Sequence, residues 1–364
     1  QASARRSTTA MHAASLSLSP RPALRGRACV SRSEARTARA SARRSAVIVA
    51  AGKKKVFIDG EAGTTGLQVR DRLAKRDDIE IISLTGDDRK NAEKRAAFLN
   101  EADAAILCLP DDAAVEAVAM VTDDTTVIID ASTAHRVADG WTYGFPELCA
   151  EQKALVQNST RIANPGCYPT GMIALTRPLV DAGLLPRDVG LVVHAVSGYS
   201  GGGKQLMAIH AAGDAEPWGA YGFNLKHKHL PEMAEYSGIG RKPIFCPAVG
   251  TFEQGMVVSV PLHYDQLAAG VTGAKMHAAL EAHYRGSRFV SVRELNGTED
   301  LERGAFLRPD ALNDTNELEL SVYANDEDGM AWLVARLDNL GKGASGAAVQ
   351  NMNLALGLDE DCGL

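Results

Sequence analysis

Short apolar runs alternate with amphipathic stretches through the first half of the chain. Lys55-Val-Phe-Ile-Asp59, Ile79-Glu-Ile-Ile-Ser-Leu84, Ala104-Ala-Ile-Leu-Cys-Leu109 and Thr126-Val-Ile-Ile-Asp130 read as strands, and residues 67–75 and 112–121 between them have helical spacing. Strands and helices taking turns in short units predict an α/β domain built on a doubly wound parallel sheet, with ligands gathered at the carboxyl ends of the strands. Another strand-like run, Thr160-Arg-Ile-Ala163, leads into a helix over 172–181.

The pattern changes after residue 190. Strands are expected at 190–196, 255–263, 288–293, 317–323 and 331–337, several of them alternating apolar with polar as a half-exposed sheet does. Residues 265–285 read as one long covering helix, which makes this half an α+β domain. The small residues after Asp338 predict a closely packing helix that returns to the first domain and closes over its ligand. The expected divisions are 53–165, 166–336 and 337–364.

Composition adds one asymmetry to this picture. The 364 residues are 45% hydrophobic and 23% charged, ordinary for a globular chain long enough for two cores. Residues 1–52, however, hold ten arginines and one acid, a net +9 that leaves −15 on the rest of the −6 chain. This segment is also rich in Ser and Ala and lacks a long apolar run. That is the make-up of an organelle transit peptide, plastid before mitochondrion, rather than of a nucleic-acid arm, and it is expected to be disordered and outside the fold. No stretch is long and apolar enough to span a bilayer, so neither a membrane nor a nucleic acid is expected as partner. Six scattered cysteines without a CxxC pair fit a reducing compartment and no zinc site.

Candidate chemistry is concentrated at the ends of the first four strands and in three later stretches. Gly60, Gly63 and Gly66 stand between the first strand and its helix, with Thr64 and Thr65, where a tight turn and a helix N-terminus would hold a pyrophosphate. The second strand ends in Thr85-Gly-Asp-Asp-Arg-Lys90, in which Thr85, Arg89 and Lys90 favour a 2′-phosphate and NADP, while Asp87 favours NAD. Pro110 follows the third strand, and Ser132 and Arg136 follow the fourth, where a guanidinium fork can grip a substrate anion or simply be a surface charge. Asn164-Pro-Gly-Cys-Tyr-Pro-Thr-Gly171 places Cys167 on a rigid elbow near a helix N-terminus, which favours thiolate. A nucleophile and a small packed thiol both fit there. Ser197-Gly-Tyr-Ser-Gly-Gly-Gly-Lys204 offers a second loop able to approach a phosphate or cofactor. Finally, His227-Lys-His-Leu-Pro-Glu232 supplies a base for the thiol, with Glu232 placed to orient a ring. His-x-His without further ligands does not make a metal site.

Together these stretches, with Asp338-Asn-Leu-Gly-Lys-Gly-Ala-Ser-Gly346, resemble the N-acetyl-γ-glutamyl-phosphate reductase family, in its shorter subgroup, over nearly all of 53–364. The resemblance implies a Rossmann-type cofactor domain, a catalytic and dimerisation domain, NADP(H), and a homo-oligomer, either a dimer or a tetramer. It implies reduction of N-acetylglutamyl phosphate to the semialdehyde through a Cys167 thioester, in arginine biosynthesis in a chloroplast. His229, or failing that His227, would be the acid–base, oriented by Glu232. Arg136, Ser132, Asn164 and Lys204 would hold substrate; Ser197, Gly198, Asn339 and Gly343 would line the cofactor side. Aspartate-semialdehyde dehydrogenase, on a related fold, and a non-catalytic nucleotide sensor are the competing readings.

Overall fold

The computed structural model describes residues 52–299 and 301–364. The leader expected over 1–52 falls outside them but for its last residue. Apolar runs bounded by turns become β1 (Lys54–Asp59), then helix α1 (Thr64–Leu73), β2 (Ile79–Ile82), α2 (Ala92–Glu101), β3 (Ala104–Leu107), α3 (Asp111–Ala119) and β4 (Val127–Asp130). Two short strands, β5 (Thr142–Tyr143) and β6 (Arg161–Ala163), flank α4 (Gln152–Gln157). All six strands are parallel, in the order β2-β1-β3-β4-β6-β5. Such a sheet buries both faces, which is why Ile106 and Ile129 belong to one apolar cluster while Leu107 and Ile128 belong to another.

The chain leaves this sheet at Ala163 and enters α5 (Cys167–Asp181), which is buried from Tyr168 to Val180. It then builds β7 (Val192–Ser197), α6 (Gly203–Ala212), β8 (Trp218–Ala220), α7 (Leu230–Tyr236), β9 (Ile244–Gly250), β10 (Met256–His263), α8 (Gly273–Tyr284), β11 (Val290–Val292), β12 (Leu318–Asn325) and β13 (Met330–Leu337). The seven strands form a mixed sheet, β11-β12-β13-β10-β7-β9-β8. One of its faces packs on α5 and α8 around Met172, Val258, Met276 and Leu333; the other is covered over Val334 and Arg336 and exposed around Val192, Ile244 and Trp332. A π-helical turn, Gly341–Ser345, then leads into α9 (Gly346–Leu356). Val349 and Met352 of α9 join Val56, Ile106 and Ile129 beneath the first sheet, so the last helix does return to the first domain.

The alternating pattern missed α2, α4, β5, β8 and β9. α2 is amphipathic only weakly, and its start is set by Asn91, whose side chain accepts from Lys94 N–H. β5 and β8 have two and three residues, too few to show a period. β9 contains Pro247 and reads as a broken strand. The long helix expected over 265–285 is cut, because Gly270 takes φ +73° and Thr272 caps a new helix at Gly273.

Candidate active site

The carboxyl ends of the parallel strands meet the N-terminus of α5, and Cys167 is its first residue. Gly166 precedes it with extended φ and ψ of −75° and 152°, so the chain arrives straight and turns into the helix at the cysteine. No side chain fits at 166: a Cβ there would lie 2.6 Å from Arg136 Nη1, 2.8 Å from Glu232 Oε1 and 2.9 Å from His229 Nε2. Three polar groups, one from the loop after β4 and two from the start of α7, therefore converge on the backbone beside the sulfur.

Each has its own partners. Arg136 is buried and donates from Nε to Asn164 O (2.9 Å), from Nη2 to Ala131 O (3.1 Å) and from Nη1 to Glu232 Oε1 (2.5 Å). Glu232 Oε2 accepts from Tyr143 OH (2.9 Å) and from Gly166 N–H (3.1 Å). Burial works against the charge on Arg136, but the Glu232 carboxylate more than offsets this and holds its pKa up. Glu232 is thus spent on the arginine and the elbow, and does not hydrogen-bond either histidine as expected. His229 is buried with no partner for Nδ1, while its backbone N–H donates to His227 Nδ1 (3.2 Å). Burial, with Arg136 and His227 nearby, keeps His229 well below its usual pKa, and burial with Lys228 lowers His227 to about 4. Both rings are neutral at physiological pH.

Burial pushes the Cys167 thiol up to about 11, against the opposing pull of the Tyr168 N–H and Arg136. The helix N-terminus was expected to favour thiolate. Its N–H groups do point that way, but loss of water around the half-buried sulfur outweighs them. The resting sulfur is a thiol and needs a base.

A cleft of about 540 Å³ joins these groups. Thr64 and Thr65, Arg136, Asn164, Cys167, Ser197, Gly198, His227, His229, Asn339 and Gly343 all line it, as the sequence led us to expect. Gly343 presses on the cysteine, for a Cβ at 343 would stand 2.8 Å from Cys167 Cβ. Two lining amides are already engaged. Asn164 donates to Ala344 O and accepts from Asn351, and Asn339 holds Gly255 N–H and Ser200. Both fix walls rather than offer free donors.

Ser132 and Lys204, expected to hold substrate, are not among the lining residues. The Ser132 hydroxyl and N–H both go to buried Asp130 (2.8 Å each), shaping the loop that carries Arg136. Lys204 lies exposed on α6, outside the lining. The lysine that does line the cleft is Lys228, between the two histidines. It was visible in the His-Lys-His run, but nothing local shows which residue of a loop turns inward. Tyr221 is a further lining residue that the sequence did not single out.

A second cavity, about 350 Å³, opens beside the glycine turn and is lined by residues 59–62, Arg89, Lys90 and Arg95. Gly60 takes φ +86° with its Cα against Cys108 O, Gly63 N–H donates to Gly60 O (2.9 Å), and Gly66 packs on Glu61. The N-terminus of α1 has no side-chain cap, leaving backbone donors open to an anion. Asp88 turns away to Lys94, Asp59 is neutralised by Arg95 (2.7 Å) and Glu61 by Arg70. The cavity is therefore cationic. Thr85 is exposed and Pro110 caps α3, and neither lines it. Arg95 was missed because α2 was missed. Among the described residues no cluster of three or more His, Cys, Asp or Glu could hold a metal, and no helix is long and apolar enough to cross a membrane.

Residues 167–339 match the family model described as semialdehyde dehydrogenase, dimerisation domain, and residues 90–156 match semialdehyde dehydrogenase, NAD binding domain. The chain is 51% identical over 320 residues to an N-acetyl-gamma-glutamyl-phosphate reductase of Trichormus variabilis, covering 86% of this chain and 99% of that protein. It is 52% identical over 308 residues to the Mesorhizobium japonicum protein of the same name, covering 84% and 100%. Among solved structures, aspartate semialdehyde dehydrogenase II of Vibrio cholerae superposes with TM-score 0.60 at 17% identity over 84% of this chain and 99% of that one. The Candida albicans aspartate semialdehyde dehydrogenase with NADP gives TM-score 0.60 at 14% over 83% and 98%. At those identities the likeness shows the fold.

Proposed function

This chain belongs to the N-acetyl-γ-glutamyl-phosphate reductase family, oxidoreductases of arginine biosynthesis, and we propose that it reduces N-acetyl-L-glutamyl 5-phosphate to the 5-semialdehyde through a thioester on Cys167. The observation that carries this is the buried, unpartnered Nδ1 of a neutral histidine in the same cleft as a protonated cysteine at a helix N-terminus.

His229 takes the thiol proton, which its low pKa permits only transiently, and Cys167 Sγ attacks the acyl carbon. The carbon–oxygen bond to phosphate breaks and inorganic phosphate leaves. His227 spends Nδ1 on the His229 backbone, so it braces the base. Arg136, held by Glu232, fixes the elbow and adds positive potential; exposed Lys228 meets the departing phosphate. NADPH, when bound, supplies hydride to the thioester carbonyl. Cys167 then departs as thiolate and takes a proton from His229, releasing the aldehyde.

The cofactor is NADP(H). The uncapped N-terminus of α1 and the glycine turn suit its pyrophosphate, and the cavity of Arg89, Lys90 and Arg95 suits the 2′-phosphate. The end of the first sheet at Ala163 and of β13 at Leu337 support a cofactor domain over 53–165, a catalytic domain over 166–336, and a returning tail. The match to a dimerisation domain and the exposed sheet face around Val192, Ile244 and Trp332 support a homo-oligomer. The arginine-rich, acid-poor residues 1–52 support import into a plastid, which fluorescence of those residues fused to a reporter would test.

The assay is NADP reduction with N-acetylglutamate semialdehyde and phosphate. Turnover with aspartate semialdehyde instead would favour the competing dehydrogenase reading. Turnover retained by Cys167→Ala would remove the thioester.

A further inference from the structure

Lys342 is 1% exposed, and among the described residues no other lysine or arginine is so deeply buried. It belongs to the π-helical turn Gly341–Ser345, between Asn339 and Gly343, which line the cleft. Lys342 itself does not line it. Its Nζ donates to Glu147 Oε1 and Gln350 Oε1 (2.7 Å each) and lies 5.6 Å and 5.4 Å from the ring centroids of Phe145 and Phe289. Taking both charges of an ion pair out of water is costly, and apolar side chains of similar size would often hold the fold as well or better. Stability alone does not account for a lysine at 342.

The partners show what the charge does. Glu147 and Phe145 come from the segment between β5 and α4, Phe289 from just ahead of β11, and Gln350 from α9. One ammonium thus draws both domains and the returning helix onto a single turn. That turn has the wide hydrogen bonds of a π-helix, Gly343 N–H to Asp338 O (2.9 Å) and Ser345 N–H to Leu340 O (2.8 Å), a rare geometry met mostly at functional sites. It is also pressed from two sides. A Cβ at 341 would collide with Thr315 O, and one at 343 would meet Cys167 Cβ. Lys342 stands between these two contacts and is the only charged side chain of the turn. Glu147 depends on it in return: Oε2 is buried without a partner, and Oε1 is met only by Lys342 and by Gln350 Nε2 (3.0 Å).

We propose that Lys342 is a positioning residue for the reaction, holding the π-turn through its buried pair with Glu147 so that Gly343 backs Cys167 and Asn339 faces the cofactor. The inference rests on the Cys167 thioester reading. It adds a charge outside the cleft on which the surroundings of the nucleophile depend.

The test uses the full chain and three variants. Lys342→Met keeps an unbranched stem between the two rings but strands the Glu147 carboxylate, so the urea midpoint falls. Adding Glu147→Gln removes the stranded charge and brings the midpoint back towards wild type. Stability and position then separate. In the double variant kcat for NADP reduction with the semialdehyde and phosphate stays roughly ten- to hundredfold low, the loss a displaced catalytic wall produces. Iodoacetamide labelling of Cys167, read in its own peptide by mass spectrometry, runs several-fold faster than wild type at neutral pH, because a loosened turn readmits water to the sulfur. Glu147→Asp keeps both charges and withdraws the acceptor by one methylene; it moves kcat and labelling in the same directions and decides the matter if the double variant does not fold. Wild-type labelling in these variants overturns the inference, whether kcat falls or not. Labelling needs no substrate, so a wild type without turnover would remove the thioester reading while the labelling still reports on the turn.

Discussion

Arg136 Nη1 donates to Glu232 Oε1 across 2.5 Å with both side chains buried, and the same carboxylate holds the N–H of Gly166. The pair fixes the cysteine elbow and neutralises itself. A carboxylate next to two histidines in sequence was expected to orient a ring; the fold gives it to an arginine 96 residues upstream.

Removing one partner leaves the other charged and buried. Glu232→Ala is expected to cost roughly 3–5 kcal/mol of stability by that mechanism, read as a lower urea midpoint. Activity falls steeply with it. Glu232→Gln keeps part of the network, and the acid limb of its kcat/KM profile should stay where the wild-type limb lies. A moved limb would mean that the carboxylate tunes a histidine after all.

At position 343 a methyl group would press on Cys167 at 2.8 Å. Gly343→Ala should destabilise by about 1–3 kcal/mol, the usual range for overpacking. Because the strain falls on the nucleophile, kcat should drop more than cofactor affinity, and fluorescence titration with NADPH can separate the two.

With its thiol raised to about 11, free Cys167 should be alkylated by iodoacetamide at a rate rising about tenfold per pH unit from neutral into the alkaline range. A plateau below pH 9 would show that the resting sulfur is already thiolate.

His229 and His227 have folded pKa values below the ordinary 6.5, chiefly through burial. The folded protein then binds fewer protons than the unfolded chain, so stability rises with pH in this window. It should be lost as pH falls through 6.5, and for His227 lost progressively toward about 4. Urea midpoints at pH 7 and pH 5 should differ less in His227→Asn than in wild type.

Arg89→Ala removes a charge-assisted contact from the cationic cavity. Such contacts are worth about 1.5–3 kcal/mol, so kcat/KM for NADPH should fall roughly ten- to hundredfold while that for NADH changes little. Equal losses with both cofactors would place the 2′-phosphate elsewhere.

The sequence by itself determined the parallel sheet, the half-open second sheet, the glycine turn and the cysteine elbow, because each is written in local periodicity and in backbone residues with few alternatives. Gly60, Gly166 and Pro165 restrict the chain whatever surrounds them. It also named most of the cleft: Cys167, His229, Arg136, Asn339 and Gly343 all line it. What only the tertiary structure decided was pairing and direction. Ser132 turned to Asp130, Lys204 to solvent and Glu232 to Arg136, while Lys228, Arg95 and Tyr143 took places no local pattern had assigned. The protonation of Cys167 was decided there too. A helix N-terminus can be read from neighbouring residues, but desolvation depends on every element that closes over the sulfur, and those come from across the whole chain.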